Sequence, residues 1–172
     1  MTSKKHPVGG KMKMFEFSLR FDISACQKSI DAIDDLLFEA GCDDALVRHG
    51  RKGEIQIDYN REAESALMAF ERAKSEVLCA LPGARFLEAK PDYVSPSDIA
   101  ANYQISRQRV LKIMQTKGIS IHPMTSVGNT QIFRLASVMN QLEKLGTPIV
   151  DASLYEAAQA AQKLNAETQQ LG

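Results

Sequence analysis

Ser106-Arg107-Gln108-Arg109 opens a stretch in which strong hydrogen-bond donors crowd together, followed at wider spacing by Lys112 and Lys117. An arginine donates two parallel N–H bonds and fits guanine O6 and N7; a glutamine amide fits adenine N6 and N7 in the same way. A serine that heads a helix sits beside free backbone N–H groups, which suit a phosphate. Val110 and Ile113 fall on an inward stripe if this stretch is helical, which turns Arg107, Gln108, Arg109 and Lys112 outward. Such a surface reads the edges and backbone of a polyanion by hydrogen bonding and charge.

Bond-making chemistry has no comparable signal. Cys26, Cys42 and Cys79 are odd in number and widely spaced, and His6, His49 and His122 are equally scattered. They show neither a metal-ligand spacing nor a disulfide framework. The sequence lacks a phosphate-binding glycine loop, a dinucleotide fingerprint, a zinc-protease helix and a nucleophile elbow. The expectation is a protein with no catalytic residues, no cofactor and no metal.

Charge supports the polyanion reading through its distribution. The 172 residues carry 21 Lys and Arg against 21 Asp and Glu, a formal net charge of zero. The balance hides a separation. Residues 14–92 are acidic, with Asp34-Asp35, Asp43-Asp44, Glu62 and Glu64. Residues 95–146 hold Arg107, Arg109, Lys112, Lys117, Arg134 and Lys144 against only Asp98 and Glu143. A basic half beside an acidic half points to anion binding by the former.

The elements that position these groups are legible from periodicity. In the acidic half, Phe15, Phe17, Leu19 and Phe21 alternate with Glu16, Ser18 and Arg20, as in a strand with one buried face. Ile30, Ile33, Leu37 and Ala40 follow at helical spacing, with Gly41 as the stop. A strand around Ala45–Arg48, a glycine-rich turn and an alternating Ile55, Ile57, Tyr59 read as a hairpin. A second amphipathic helix is expected over 61–81 and a last strand over 84–90. The order β-α-β-β-α-β resembles the ferredoxin-like split βαβ unit, an antiparallel sheet with two helices on one face. The first strand's aromatics share a single apolar face, and no basic-glycine-aromatic run of the RNA-recognition type is present, so RNA reading is not expected here.

In the basic half, Ser95 with Asp98 three residues on forms a short capping box, and Pro96 suits the first helical position. The first helix runs through Ile99, Ala100 and Tyr103; Ser106 caps a second through Val110, Ile113 and Met114. Ala100 is small where two helices would cross, and Ile105 is aliphatic just after the turn. This spacing resembles the helix-turn-helix of DNA-binding proteins. The turn position usually held by glycine is Gln104, which must either accept a left-handed conformation or shift the turn. Beyond it, Gly128-Asn129 between extended segments signals a hairpin, and the return strand "QIFR" leads into a helix with Leu135, Val138, Met139 and Leu142. Two helices, a hairpin wing and a closing helix resemble the winged helix-turn-helix of the MerR and excisionase-like groups.

That resemblance implies double-stranded DNA as partner. Ser106, Arg107, Gln108, Arg109, Lys112 and Lys117 would lie on the recognition helix, and Asn129, Thr130 and Arg134 on the wing, with His122 alongside. The expected fold is α+β. A flexible basic arm (1–13) precedes a ferredoxin-like domain (14–91) for dimerisation or partner docking. A proline-bracketed linker leads to a winged helix-turn-helix (95–146), and a C-terminal helix (151–170) follows. Leu154, Ala157, Ala161, Leu164, Thr168 and Leu171 recur at steps of three and four, a weak coiled-coil seam expected to pack on another chain. The expected protein is a cytoplasmic, homodimeric transcriptional regulator of prokaryotic or phage type. No membrane span or secretory leader is expected. An antitoxin-like interaction protein that autoregulates its operon, and an excisionase or DNA-architecture factor, are the alternatives.

Overall fold

A computed structural model describes residues 10–116, 118, 121–149 and 151–171. Among these residues the chain forms seven strands, six α-helices and one 3-10 turn, organised around two antiparallel sheets.

The first sheet contains β1 (Lys13–Asp22), β2 (Ala45–His49), β3 (Glu54–Ala63) and β4 (Arg85–Lys90), in the spatial order β2-β3-β1-β4. The alternation read in β1 is real: Phe15, Phe17, Leu19 and Phe21 are all buried. Ile55, Ile57 and Tyr59 continue the same face on β3. Phe17 stacks between Tyr59 and Phe70, with ring centroids 4.9 and 4.1 Å away. The opposite face is polar and cross-linked: Ser18 donates to Asp58, Arg48 pairs with Asp58, and Arg20 pairs with Glu88.

Helix α1 (Ile30–Glu39) starts where the Ser29 hydroxyl accepts from Ala32 N–H, and buries Ile33 and Leu37. Helix α2 (Ala66–Ala80) starts at Ser65, five residues later than the hydrophobic pattern suggests. Residues 61–63 extend β3 instead, because the start of β1 pairs with them (Lys13 opposite Ala63). Arg61 is further fixed by Asp44 and Glu76, both within 2.9 Å. Sheet pairing therefore outweighs the local helical preference of that segment.

Two expectations about chain organisation are corrected. The proline-bracketed segment is more than a linker: Tyr93–Val94 form β5, which pairs with Arg134 and Phe133 of the second sheet. The C-terminal helix α6 (Ala152–Gln170) uses its small-residue seam within the chain. Ala157, Ala161 and Leu164 are buried with the first sheet's core, whereas Ala158 joins the second core. Leu171, the seam's last member, is exposed. The reason is steric: alanines let a helix lie close to a sheet, and two apolar surfaces were already waiting on either side.

Helix α6 also finishes an edge. Strand β4 borders the sheet, and the Asn165 side chain bonds both backbone groups of Ala89, accepting from its N–H at 2.8 Å and donating to its C=O at 2.9 Å. The amide thereby substitutes for the next strand and closes a surface that would otherwise be open to pairing. Among the described residues no helix is long and apolar enough to cross a membrane.

Candidate nucleic-acid interface

Helix α3 (Pro96–Tyr103) begins at the capping box foreseen from the sequence. Ser95 Oγ accepts from Asp98 N–H, and the Asp98 carboxylate accepts from Ser95 N–H at 2.8 Å. Pro96 occupies the first turn, where a missing N–H costs nothing. The helix ends at Gln104, which takes the left-handed conformation at φ 53°, ψ 39°. Ile105 N–H then bonds Ala100 C=O at 3.0 Å, a closed turn between the two helices.

An amide side chain at a left-handed position carries a penalty that glycine does not. Gln104 is exposed, so its side chain contributes little packing. Gln104→Gly is expected to raise stability by about 0.5–1 kcal/mol, the relief of backbone strain outweighing the extra freedom of the unfolded chain. Chemical denaturation of the two proteins measures it.

Helix α4 (Arg107–Met114) is capped by Ser106, whose hydroxyl accepts from Arg109 N–H at 3.1 Å. Val110 is its buried anchor, with Ile113 and Met114 partly covered. Ile99, Ala100, Phe133, Leu135, Val138, Met139 and Leu142 complete the core beneath. With that face turned in, Ser106, Arg107, Gln108, Arg109 and Lys112 are all exposed. Among the described residues, none of Arg107, Arg109 or Lys112 is held in an ion pair. Their charge is directed to solvent. Lys117 lies outside the described residues.

The wing consists of β6 (Thr125–Val127) and β7 (Thr130–Arg134), with Val127 opposite Thr130 across a two-residue turn. Gly128 has φ +59° while Asn129 stays at negative φ, the pattern of a type II′ hairpin turn. Asn129 and Thr130 are exposed at its tip, and His122 is exposed before it. With β5 the wing makes a three-stranded sheet in the order β5-β7-β6, and β7 runs straight into α5 (Leu135–Lys144).

Arg134 leaves the candidate set. Its Nη1 donates to Asp92 Oδ2 at 3.0 Å and lies 3.5 Å from Gln162 C=O, and its guanidinium covers the Tyr93 ring at 5.4 Å. A guanidinium so engaged and largely buried is held by the fold rather than presented at the wing. Asp92 is 1% exposed, and the same Oδ2 accepts from Asn165 at 2.8 Å. Burial lifts the Asp92 carboxyl above its usual range, against the downward pull of the Asn165 bond and the Arg134 charge. This triad, absent from the sequence pattern, joins the segment between β4 and β5, the end of β7 and helix α6. No local pattern marks it, since its three members are 42 and 31 positions apart in the chain.

The described residues thus define a mixed α+β chain with two antiparallel sheets and an exposed, basic, capped helix on the second. Compared with protein families, characterised proteins and solved structures, the chain matches none.

Proposed function

We propose that the protein is a sequence-specific DNA-binding regulator. Its first sheet and helices serve as a ferredoxin-like dimerisation unit, and its second half as a winged helix-turn-helix. The observation that carries the reading is the opening of α4, where Arg107, Gln108, Arg109 and Lys112 are exposed on a helix fixed from behind by Val110 and capped by Ser106. Recognition helices enter the major groove by that end. Arg107, Gln108 and Arg109 are the base readers, and Ser106 with the helix N-terminus contacts phosphate. Asn129 and Thr130 approach the backbone from the wing, and Arg134 serves the fold. The strand order β2-β3-β1-β4, with both intervening helices on one face, supports the ferredoxin-like assignment of the first half.

A dimer would carry two recognition helices to successive major-groove faces about 34–36 Å apart, which calls for an inverted repeat. Selection of bound sequences from a random duplex pool tests this directly. Enrichment of a two-fold symmetric site supports the reading, and a pool that returns unenriched overturns it. On the selected site, Lys112→Ala is expected to weaken all sequences alike and to reduce the salt slope by about one.

A further inference from the structure

The two borders of the first sheet are treated differently. At β4 the outward backbone groups of Ala89 are taken by Asn165. At β2 no described element pairs with the outer side.

Which groups face outward there follows from the ladder. Gly50 N–H bonds Glu54 C=O, and Ile23 N–H bonds Gly53 C=O. Hydrogen-bonded pairs alternate along antiparallel strands, so Arg48 and Leu46 bond inward to Gln56 and Asp58. Ala45, Val47 and His49 then direct their N–H and C=O groups away from the sheet.

We infer that the outer edge of β2 is the homodimer interface, pairing antiparallel with β2 of a second copy about a two-fold axis at Val47.

The strand is self-complementary in that register. Val47 faces Val47, and Ala45 faces His49 of the second copy, each pair exchanging both backbone bonds. The flanks match in charge. Asp43 lies before the strand and Arg51 and Lys52 after it, and all three are exposed. Among the described residues none of them has an ion-pair partner. The two-fold brings the 3-10 turn that carries Asp43 in one copy toward the hairpin turn that carries Arg51 and Lys52 in the other, at both ends of the paired edge. A parallel pairing would instead set like charge against like, which is unfavourable.

Helix α1 adds apolar surface to the same border. Asp34 reaches His49 Nε2 at 2.7 Å, which fixes α1 above β2. Ile30 and Phe38 lie one turn to either side of Asp34, and they are 57% and 69% exposed. The two-fold runs the two α1 helices antiparallel, so that the Phe38 end of one copy approaches the Ile30 end of the other. Leu46, 58% exposed on the polar face, comes to lie opposite Arg48 of the second copy, whose alkyl stem can cover it. One operation therefore pairs the backbone, matches the flanking charges and shields three exposed apolar side chains. A second copy suits this border because both halves of each match belong to one sequence.

The inference supplies the dimer of the proposed regulator with its surface, and it stands on β2 and α1 alone. Sedimentation of the full chain tests it. The wild type is expected to sediment as a dimer. Val47→Pro removes an outward N–H without touching the β2–β3 bonds, so it is expected to give a monomer with an unchanged far-ultraviolet spectrum. Asp43→Lys is expected to weaken the dimer, and Asp43→Lys with Arg51→Asp to restore it. Should Val47→Pro fail to fold, the charge swap decides. A monomeric wild type, or a dimer indifferent to the charge reversal and its swap, overturns the inference. A monomer that still selects a DNA half-site would sink this interface and spare the DNA reading; a dimer that selects no DNA would do the reverse.

Discussion

Asp92→Ala is expected to lower the unfolding free energy by about 3–5 kcal/mol, the range for removing one partner of a buried ion pair. The carboxylate is the shared acceptor of Arg134 and Asn165. Without it the guanidinium is left largely buried with no counter-charge, and one hydrogen-bond acceptor of the Asn165 amide disappears. Asp92→Asn keeps an acceptor oxygen but not the charge, so its loss should be smaller. The double variant Asp92→Ala with Arg134→Ala should be less damaged than the two single losses added, because removing both charges leaves no unpaired one. Strictly additive losses in a denaturation cycle would refute the coupling. The pH dependence has a definite sign. Burial raises the Asp92 carboxyl in the folded state, so the folded chain holds this proton more tightly than the unfolded one. This group's contribution is most favourable below the ordinary carboxylate range. It declines as pH rises from there through the raised value. In Asp92→Asn that decline should be absent.

The triad also ties segments of the two halves together. The sequence suggests a linker between two domains, yet β5 sits inside it and joins the second sheet. Leu135 N–H bonds Asp92 C=O at 2.7 Å, which ties the start of α5 to the same residue. Helix α6 spans both cores, with Ala157, Ala160 and Ala161 toward the first and Ala158 toward the second. Packed side chains and a buried ion pair thus connect the second sheet with the first.

What could be read in advance was local. Alternating Phe15, Phe17, Leu19 and Phe21 can satisfy only one pattern of burial, and Ser95 with Asp98 can close only one kind of helix start. Gln104, at the turn position where the resembled motif usually has glycine, was legible only as a choice between a left-handed residue and a shifted turn, and it takes the left-handed conformation. What could not be read depended on partners distant in the chain. Arg134 resembled a wing cation because its carboxylate lies 42 residues upstream. The α6 seam resembled a coiled coil because alanines and leucines at three- and four-residue steps fit a partner helix and a sheet equally well. Tyr93–Val94 is too short for its own periodicity to show, and it is a strand only because β7 is beside it. The exposed α4 face is an intermediate case. Its helix and its cap are local properties, whereas its exposure required that no acidic element fold back over it.

Arg107→Ala and Arg109→Ala are each expected to cost about 1–3 kcal/mol on the selected DNA site, and to relax base preference at one position per half-site. Each truncation removes a planar pair of N–H donors and leaves guanine O6 and N7 without partners in a desolvated groove. A random duplex offers those side chains only phosphates, so binding to it should fall less. The difference between the two losses is the informative quantity. Both arginines are exposed and free of ion pairs among the described residues, so the folded protein should keep its stability while its selectivity drops. That separates them from Arg134, whose replacement should unsettle the fold before it touches recognition. Gel-shift titrations of each variant on cognate and random duplexes, at one fixed salt concentration, measure both losses together. Equal losses on the two duplexes would reduce the arginines to backbone contacts. The reading of bases would then rest with Gln108 alone, too little for a single helix to specify a site.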